Sequence, residues 1–228
     1  MGLYNAATGK MILCNAGDNQ LHVYKRARGR MVQMSMPETP AAGVFPSSMA
    51  PNGFPEISIT LEHGDLALFF TDGVEEAKRS FRGPNYQAIT DEEGVGDEEL
   101  SLTRIHDIVA AVQVGGRYTL ERVYSPDPDE VLTFDFSDCE PTASNTTLAL
   151  MAVEKVFRLY RDPSAGRDQR VAVDKKIDDF LKAHFEEYNL FFSNARPESD
   201  ASSLYNEYTH LVEDEQYDDL TMLAIRRK

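Results

Sequence analysis

The chain has 228 residues, 42% apolar and 27% charged, so it can bury a core without covalent staples and has the make-up of a globular protein. A formal net charge of −15 excludes a general nucleic-acid binder, because phosphate-backbone affinity needs clustered Lys and Arg. Two cysteines at no metal spacing, no apolar run of about eighteen residues and no basic-then-apolar leader lead us to expect a reduced, cytoplasmic chain that does not span a membrane.

In chain order, the N-terminal third reads as β structure. "LYNAATGKMILCNAGDNQLHVY" places a turn at Ala7 to Lys10 between two strand-like runs and a second turn at Gly17 to Asn19. "LHVYKR" follows as a strand and breaks at Arg28-Gly29-Arg30. "MPETPAAGVFPSSMAPNGFP" is rich in Pro and Gly and reads as a loop. "EISITLEHGDLALFF" gives two strands around a turn at His63 to Asp65. "GVEEAKRSF" suits one helical turn, and the acidic "DEEGVGDEE" suits a solvated loop. Leu102, Ile105, Ile108, Val109 and Val112 recur at helical spacing, which predicts an amphipathic helix over Ser101 to Gln113.

Alternation on either side of "SPDPD" predicts a hairpin near 117–136. A helix is expected from about Thr146 to Tyr160, capped by Ser144 or Asn145, and a linker from Arg161 to Arg170. Another helix is expected from about Val173 to Tyr188, with Ile177, Phe180, Leu181 and Phe185 on one face. "SNARPESDASS" reads as a polar loop, and Leu220 to Ile225 as the final strand.

Two acidic tips stand out. Asp72 follows the apolar run Leu66 to Phe70, and Asp218-Asp219 precedes "LTMLAI". Strands lying side by side would bring both tips to one sheet end, where converging carboxylates form a hard oxygen site suited to Mg²⁺ or Mn²⁺ rather than zinc. Two such ions can activate a shared water and clamp a phosphoryl group. The plainer reading stays open: Asp72-Gly73 is also a common turn signal, and Asp218-Asp219 also suits a solvated strand entry. His22, His63, His106, His184 and His210 lie at no metal-ligand spacing and read as structural or exposed. No nucleophile elbow and no phosphate-cradling glycine loop occurs.

Four pieces, read in order, carry a resemblance. "GLYNAATGKMILCNAGDNQLHVY" resembles the "D-x-x-T-G-x-(x)n-N-A-G-H-N" segment of stage II sporulation protein E and RsbU-type serine phosphatases. "TPAAGVF" resembles their "P-L-G" loop, and "LEHGDLALFFTDGVEEA" their "L-x-x-G-D-x-L-x-x-Y-T-D-G-V-x-E-A". The closing "YDDLTMLAIRR" is similar to their "D-D-x-T-x-L-x-x-x-R". These enzymes are metal-dependent phosphatases of the protein phosphatase 2C type.

The resemblance implies an α+β fold, an antiparallel β-sandwich flanked by helices in αββα layers. It implies hydrolysis of phosphoserine or phosphothreonine on a partner protein by metal-bound water, with Mn²⁺ or Mg²⁺ in a two-metal site. Asp72 and Asp218 would be catalytic metal ligands, Gly73 would let the backbone turn beside the metal, and Asp219 would support the shell. Asn15, Ala16, Gly17 and Asn19 would form a structural turn. Implied partners are phosphoproteins, including small anti-anti-sigma-like proteins, with an upstream sensor or membrane domain in a longer protein.

The chain departs from the family in three ways. The earlier "G-D-x-S-G-H-G" segment, whose Asp bridges both metals, is absent, and Asp18 stands where His is usual. The stretch from Asp72 to Asp218 is also long. We therefore expect residues 1–228 to form one phosphatase domain lacking its N-terminal segment, with an insertion at about 83–143. The alternative expectation is a non-catalytic phosphatase-like interaction module.

Overall fold

The computed structural model describes residues 2–15, 20–37, 53–127, 130–166, 169–193, 195–196, 203–216 and 218–228. The turn at Gly17 to Asn19, the "TPAAGVF" loop and most of the loop after Arg196 lie outside the described residues, as do Ala16, Gly17, Asp18 and Asn19 individually. The chain divides into two compact units, residues 1–69 with 222–228, and residues 70–221.

The chain opens with β1 (Gly2–Tyr4), β2 (Lys10–Cys14), β3 (Gln20–Lys25), β4 (Arg30–Ser35), β5 (Glu56–Thr60) and β6 (Leu66–Phe70). Then come α1 (Asp72–Glu75), β7 (Lys78–Ser80), β8 (Asp97–Glu99), α2 (Ser101–Val114), β9 (Arg117–Glu121), β10 (Val131–Asp135) and α3 (Ala143–Arg158). The remainder is β11 (Leu159–Arg161), β12 (Arg170–Asp174), α4 (Lys175–His184), α5 (Tyr188–Phe191), β13 (Ala195–Arg196), β14 (Tyr205–Thr209), β15 (Leu211–Glu213) and β16 (Met222–Arg226).

The first unit holds two antiparallel sheets, ordered β1-β2-β5 and β16-β6-β3-β4. Their inward side chains form one core, in which Met11 and Leu13 of the first sheet meet Leu21, Val23 and Ala67 of the second. Leu21, Val23 and Ala67 are fully buried, and a buried Leu or Val stabilises by roughly 1.5–3 kcal/mol. The turn at 63–65 is where the sequence expects it, yet β5 and β6 do not pair. The chain crosses there from one sheet to the other.

Buried Asp65 holds that crossing by accepting from Lys25 Nζ at 2.8 Å and from the Arg26 and Glu62 amides at 3.0 Å each. Burial alone would raise its pKa; these bonds outweigh it and hold the carboxyl below the usual range.

The second unit contains every α-helix described, so the fold is α+β with antiparallel pairing throughout the registered strands. Helix α2 buries Ile105, Ile108, Val109 and Val112 and stops at Gly115, whose φ of 64° suits a residue without Cβ. The hairpin near 117–136 is present, with Tyr118 opposite Phe134.

Three expectations are corrected here. The acidic stretch 91–99 is not all loop: Asp97–Glu99 form β8, where Glu99 faces Lys78 and Glu98 faces Arg79. Opposite charges across a strand pair stabilise what composition alone would leave in water. Helix α3 starts at Ala143 and is capped by Thr142, whose hydroxyl accepts from the Asn145 amide at 3.0 Å. Helix α4 starts at Lys175 rather than Val173, because Val171 and Val173 alternate inward as a strand beside β14 and Asp174 becomes the cap.

Candidate functional site

The apolar run of β6 carries the chain through a sheet, and its neighbour there is β16. The Gly64 amide donates to the Arg227 carbonyl at 2.8 Å, so the start of β6 lies beside the end of β16. The two strands therefore run antiparallel, and the chain just after β6 meets the chain just before β16.

Three bonds make that meeting, all within the second unit. The Thr71 amide donates to the Thr221 carbonyl at 3.0 Å, and the Thr221 amide donates to Thr71 Oγ1 at 3.1 Å. Thr71 Oγ1 then donates to the Asp219 carbonyl at 2.7 Å. Thr71 occupies the N-cap position of α1 with extended backbone, but its hydroxyl makes no capping bond and spans to the other segment instead.

Asp72, Gly73, Asp218 and Asp219 are thus brought together. Asp72 opens α1, and its carboxylate accepts from the Gly73 amide at 3.1 Å. Asp218 accepts from the Asp219 amide at 2.7 Å. Each carboxylate keeps most of its acceptor capacity, and all three are exposed. Gly73 is buried, and a Cβ there would lie 2.8 Å from the Asp219 carbonyl oxygen and 3.1 Å from the Asp218 Cβ. Only glycine permits that approach without a shift.

Gln216 was not foreseen from the sequence. Its Nε2 donates to the Gly73 carbonyl at 3.1 Å and to the Asp218 carbonyl at 3.0 Å, which clips α1 to the turn before β16. Its place two residues before Asp218 is the only trace it leaves in the sequence. One turn on, burial raises the pKa of Glu75, with smaller contributions from Glu99 and Glu76.

The donor set suits a hard divalent ion, since every side chain offered is a carboxylate. Among the described residues, no three His, Cys, Asp or Glu side chains converge closely enough to hold a metal ion. Among the described residues the junction thus offers carboxylates of suitable chemistry but fewer than three that converge. Neither cysteine forms a disulfide; Cys14 is half-buried and Cys139 is buried. Among the described residues no helix is long and apolar enough to cross a membrane.

Residues 1–113 match the family model of Stage II sporulation protein E (SpoIIE), so the resemblance read from the motifs is borne out over that stretch. The match includes Asp72 and Gly73 and ends before Asp218 and Asp219. No match was found among curated proteins. Among solved structures, the chain is similar to the crystal structure of the RsbU and RsbW domains of Rv1364c from Mycobacterium tuberculosis. Identity is 22%, the TM-score is 0.33, and the match covers 50% of this chain and 26% of that one. The chain therefore spans about a quarter of that structure's length.

Proposed function

With residues 1–113 matching SpoIIE, we propose that the chain is the catalytic part of a metal-dependent protein serine/threonine phosphatase. The observation that carries the reading is the Thr71–Asp219–Thr221 clamp, which brings both acidic motif ends to one place. A bound Mn²⁺ or Mg²⁺ would supply an activated water for attack on a phosphoserine or phosphothreonine ester. The residues of this chain do the rest. Asp72 and Asp218 offer ligand oxygens, Asp219 adds negative charge beside them, and Gly73 allows the two segments to touch. Gln216 restrains the turn that carries Asp218.

The same reading takes residues 1–228 as one phosphatase domain, with about 83–143 inserted. The proposed partner is a phosphoprotein of the anti-anti-sigma kind in a cytoplasmic setting, supported by the SpoIIE resemblance. A second reading, a non-catalytic phosphatase-like module, draws on the lack of three converging ligands among the described residues.

Mn²⁺ titration by calorimetry separates the two, run on the 228-residue chain and on Asp72→Asn and Asp218→Asn. The phosphatase reading expects weak binding that either substitution removes, and Mn²⁺-dependent phosphoserine hydrolysis in a protein that also supplies the missing ligand. Wild-type hydrolysis rates in both variants of that longer protein would sink it.

A further inference from the structure

The first unit carries eight Lys or Arg against five Asp or Glu, in a chain that holds 23 against 38. Seven of those eight cations stand at one end of the β16-β6-β3-β4 sheet. β3 ends at Lys25 and β4 begins at Arg30, with Arg26 and Arg28 in the turn between them. Tyr24 pairs with Leu66, so β6 begins at that end, and the strand beside it, β16, finishes there with Arg226, Arg227 and Lys228 after it. Gly64 ties the two groups together: its amide donates to the Arg227 carbonyl at 2.8 Å, and the Arg26 side chain fills the space a Cβ there would need.

Little negative charge answers this cluster. Among the described residues of the unit, the acids at this end are Glu62 and Asp65, and Asp65 is buried and engaged by Lys25 at 2.8 Å. Arg227 turns inward and donates to the Leu61 carbonyl at 2.7 Å. Arg26, Arg28, Arg30 and Lys228 are exposed, and among the described residues none of the four makes an ion pair.

Between the hairpin and the crossing at 62–65 lies a groove of about 700 Å³. Arg26, Arg28 and His63 are its exposed walls, and Val32 and Met34 of β4 are half-buried within it. The same strand is a sheet edge: among the described residues β4 pairs with β3 alone, along its whole length from Arg30 to Ser35. An edge presents a row of unpaired N–H and C=O groups, which proteins guard with charge or proline along the strand. After Arg30, the strand reads Met-Val-Gln-Met-Ser, with neither.

We infer that this end of the first unit docks an acidic, extended segment of a partner protein, which adds alongside β4, seats an apolar side chain against Val32 and Met34, and sets its carboxylates on Arg26, Arg28 and Arg30. Strand addition takes affinity from main-chain bonds and specificity from alternate side chains. Unpaired guanidinium forks match carboxylates, and charge of one sign on a surface selects a partner of the other. The apolar floor and the open edge favour a polypeptide over a lipid headgroup or a nucleic acid, neither of which pairs with a strand. The surface adjoins the start of β6, whereas Asp72 follows its end, and the inference does not depend on the phosphatase reading.

The test is fluorescence anisotropy of a labelled peptide, VEVEDEE, titrated with the full 228-residue chain in EDTA. Saturable binding is expected, weakened about tenfold between about 50 and about 500 mM NaCl as the charges are screened. Arg28→Glu is expected to weaken it at least about tenfold with a melting temperature close to wild type, because that side chain is exposed and makes no ion pair among the described residues. Lys176→Glu, an equal charge change on an exposed residue of α4, is expected to leave binding unchanged. SESEDEE, of the same charge, is expected to bind several-fold more weakly, and VEVEDEE N-methylated at alternate residues not to bind. Absence of saturable binding overturns the site, as does equal weakening by Lys176→Glu and Arg28→Glu. Wild-type affinity for SESEDEE overturns the role of Val32 and Met34, and wild-type affinity for the methylated peptide overturns strand addition. A salt-sensitive oligomer of the chain alone, lost in Arg28→Glu, gives the surface to a second copy instead; phosphatidylserine-vesicle binding lost in that variant gives it to a membrane, and either result overturns the proposal.

Discussion

Thr71 donates its hydroxyl hydrogen to the Asp219 carbonyl at 2.7 Å, across 148 positions of sequence. The same oxygen accepts from the Thr221 amide at 3.1 Å. One side chain therefore fixes how two acidic segments meet, and it does so with neutral groups that leave all three carboxylates available.

Replacing Thr71 with Val keeps the shape and removes both hydroxyl bonds. The site is solvent-accessible, so water replaces part of the loss, and the expected destabilisation is about 0.5–1.5 kcal/mol. Thr71→Ser keeps the hydroxyl and should recover most of it. Denaturant melts of the two variants check this; equal loss in both would show that packing of the methyl group, not the clamp, matters.

Gly73→Ala tests the close approach. Its added Cβ meets backbone at 2.8 Å, which cannot swing aside as a side-chain end would. We expect a loss of about 1–3 kcal/mol, the usual cost of overpacking, despite the better helix propensity of Ala. Amide exchange should rise at Asp219 and Thr221 as the two segments part. A melting temperature at or above wild type would show that the segments move apart freely.

Asp72→Asn separates the turn role from the ligand role. Asn suits the same backbone, so the metal-free chain should be as stable as wild type or slightly more so, since one of three neighbouring negative charges is gone. Thermal melts in EDTA and in Mn²⁺ give the comparison. Mn²⁺ should raise the wild-type melting temperature and leave Asp72→Asn unmoved; an equal rise in both returns Asp72 to a turn residue.

Asp178 supplies a pH dependence. It is fully buried on α4 and accepts from Lys182, Tyr188, Asn206 and Tyr208. Burial works to raise its pKa, but those four bonds win and the folded value lies below the unfolded one of about 3.9. Its stabilisation is thus complete above the unfolded value and is lost as pH falls through the folded one. Asp178→Asn should cost about 3–5 kcal/mol at pH 7, because it breaks a buried charged network. It should also flatten the loss of stability below pH 4; parallel acid profiles for the two proteins would assign that loss to other groups.

The helices and strands were legible where periodicity was strong. Ile105, Ile108, Val109 and Val112 mark α2 at its helical spacing, and Tyr118 and Phe134 fall on the hairpin that alternation indicated. Boundaries failed where two local signals competed. Val173 serves a strand together with Val171, although the helical spacing of Ile177, Phe180, Leu181 and Phe185 sets the expected helix start at about Val173. Glu98 and Glu99 look solvated until Arg79 and Lys78 are known to lie opposite.

What the sequence determined by itself is local: an apolar run ending in Thr71-Asp72-Gly73, an acidic pair before the last strand, and the order of motifs that joins them. Those features follow from side-chain period and turn chemistry, which act over a few residues. Only the tertiary structure decided that β5 and β6 part into different sheets, that Gln216 bonds Gly73, and that Asp178 meets Tyr188, Asn206 and Tyr208. Such facts depend on which distant segments meet. A hydrogen bond or an ion pair exists only relative to a partner, and the partner's place is set by how the core packs.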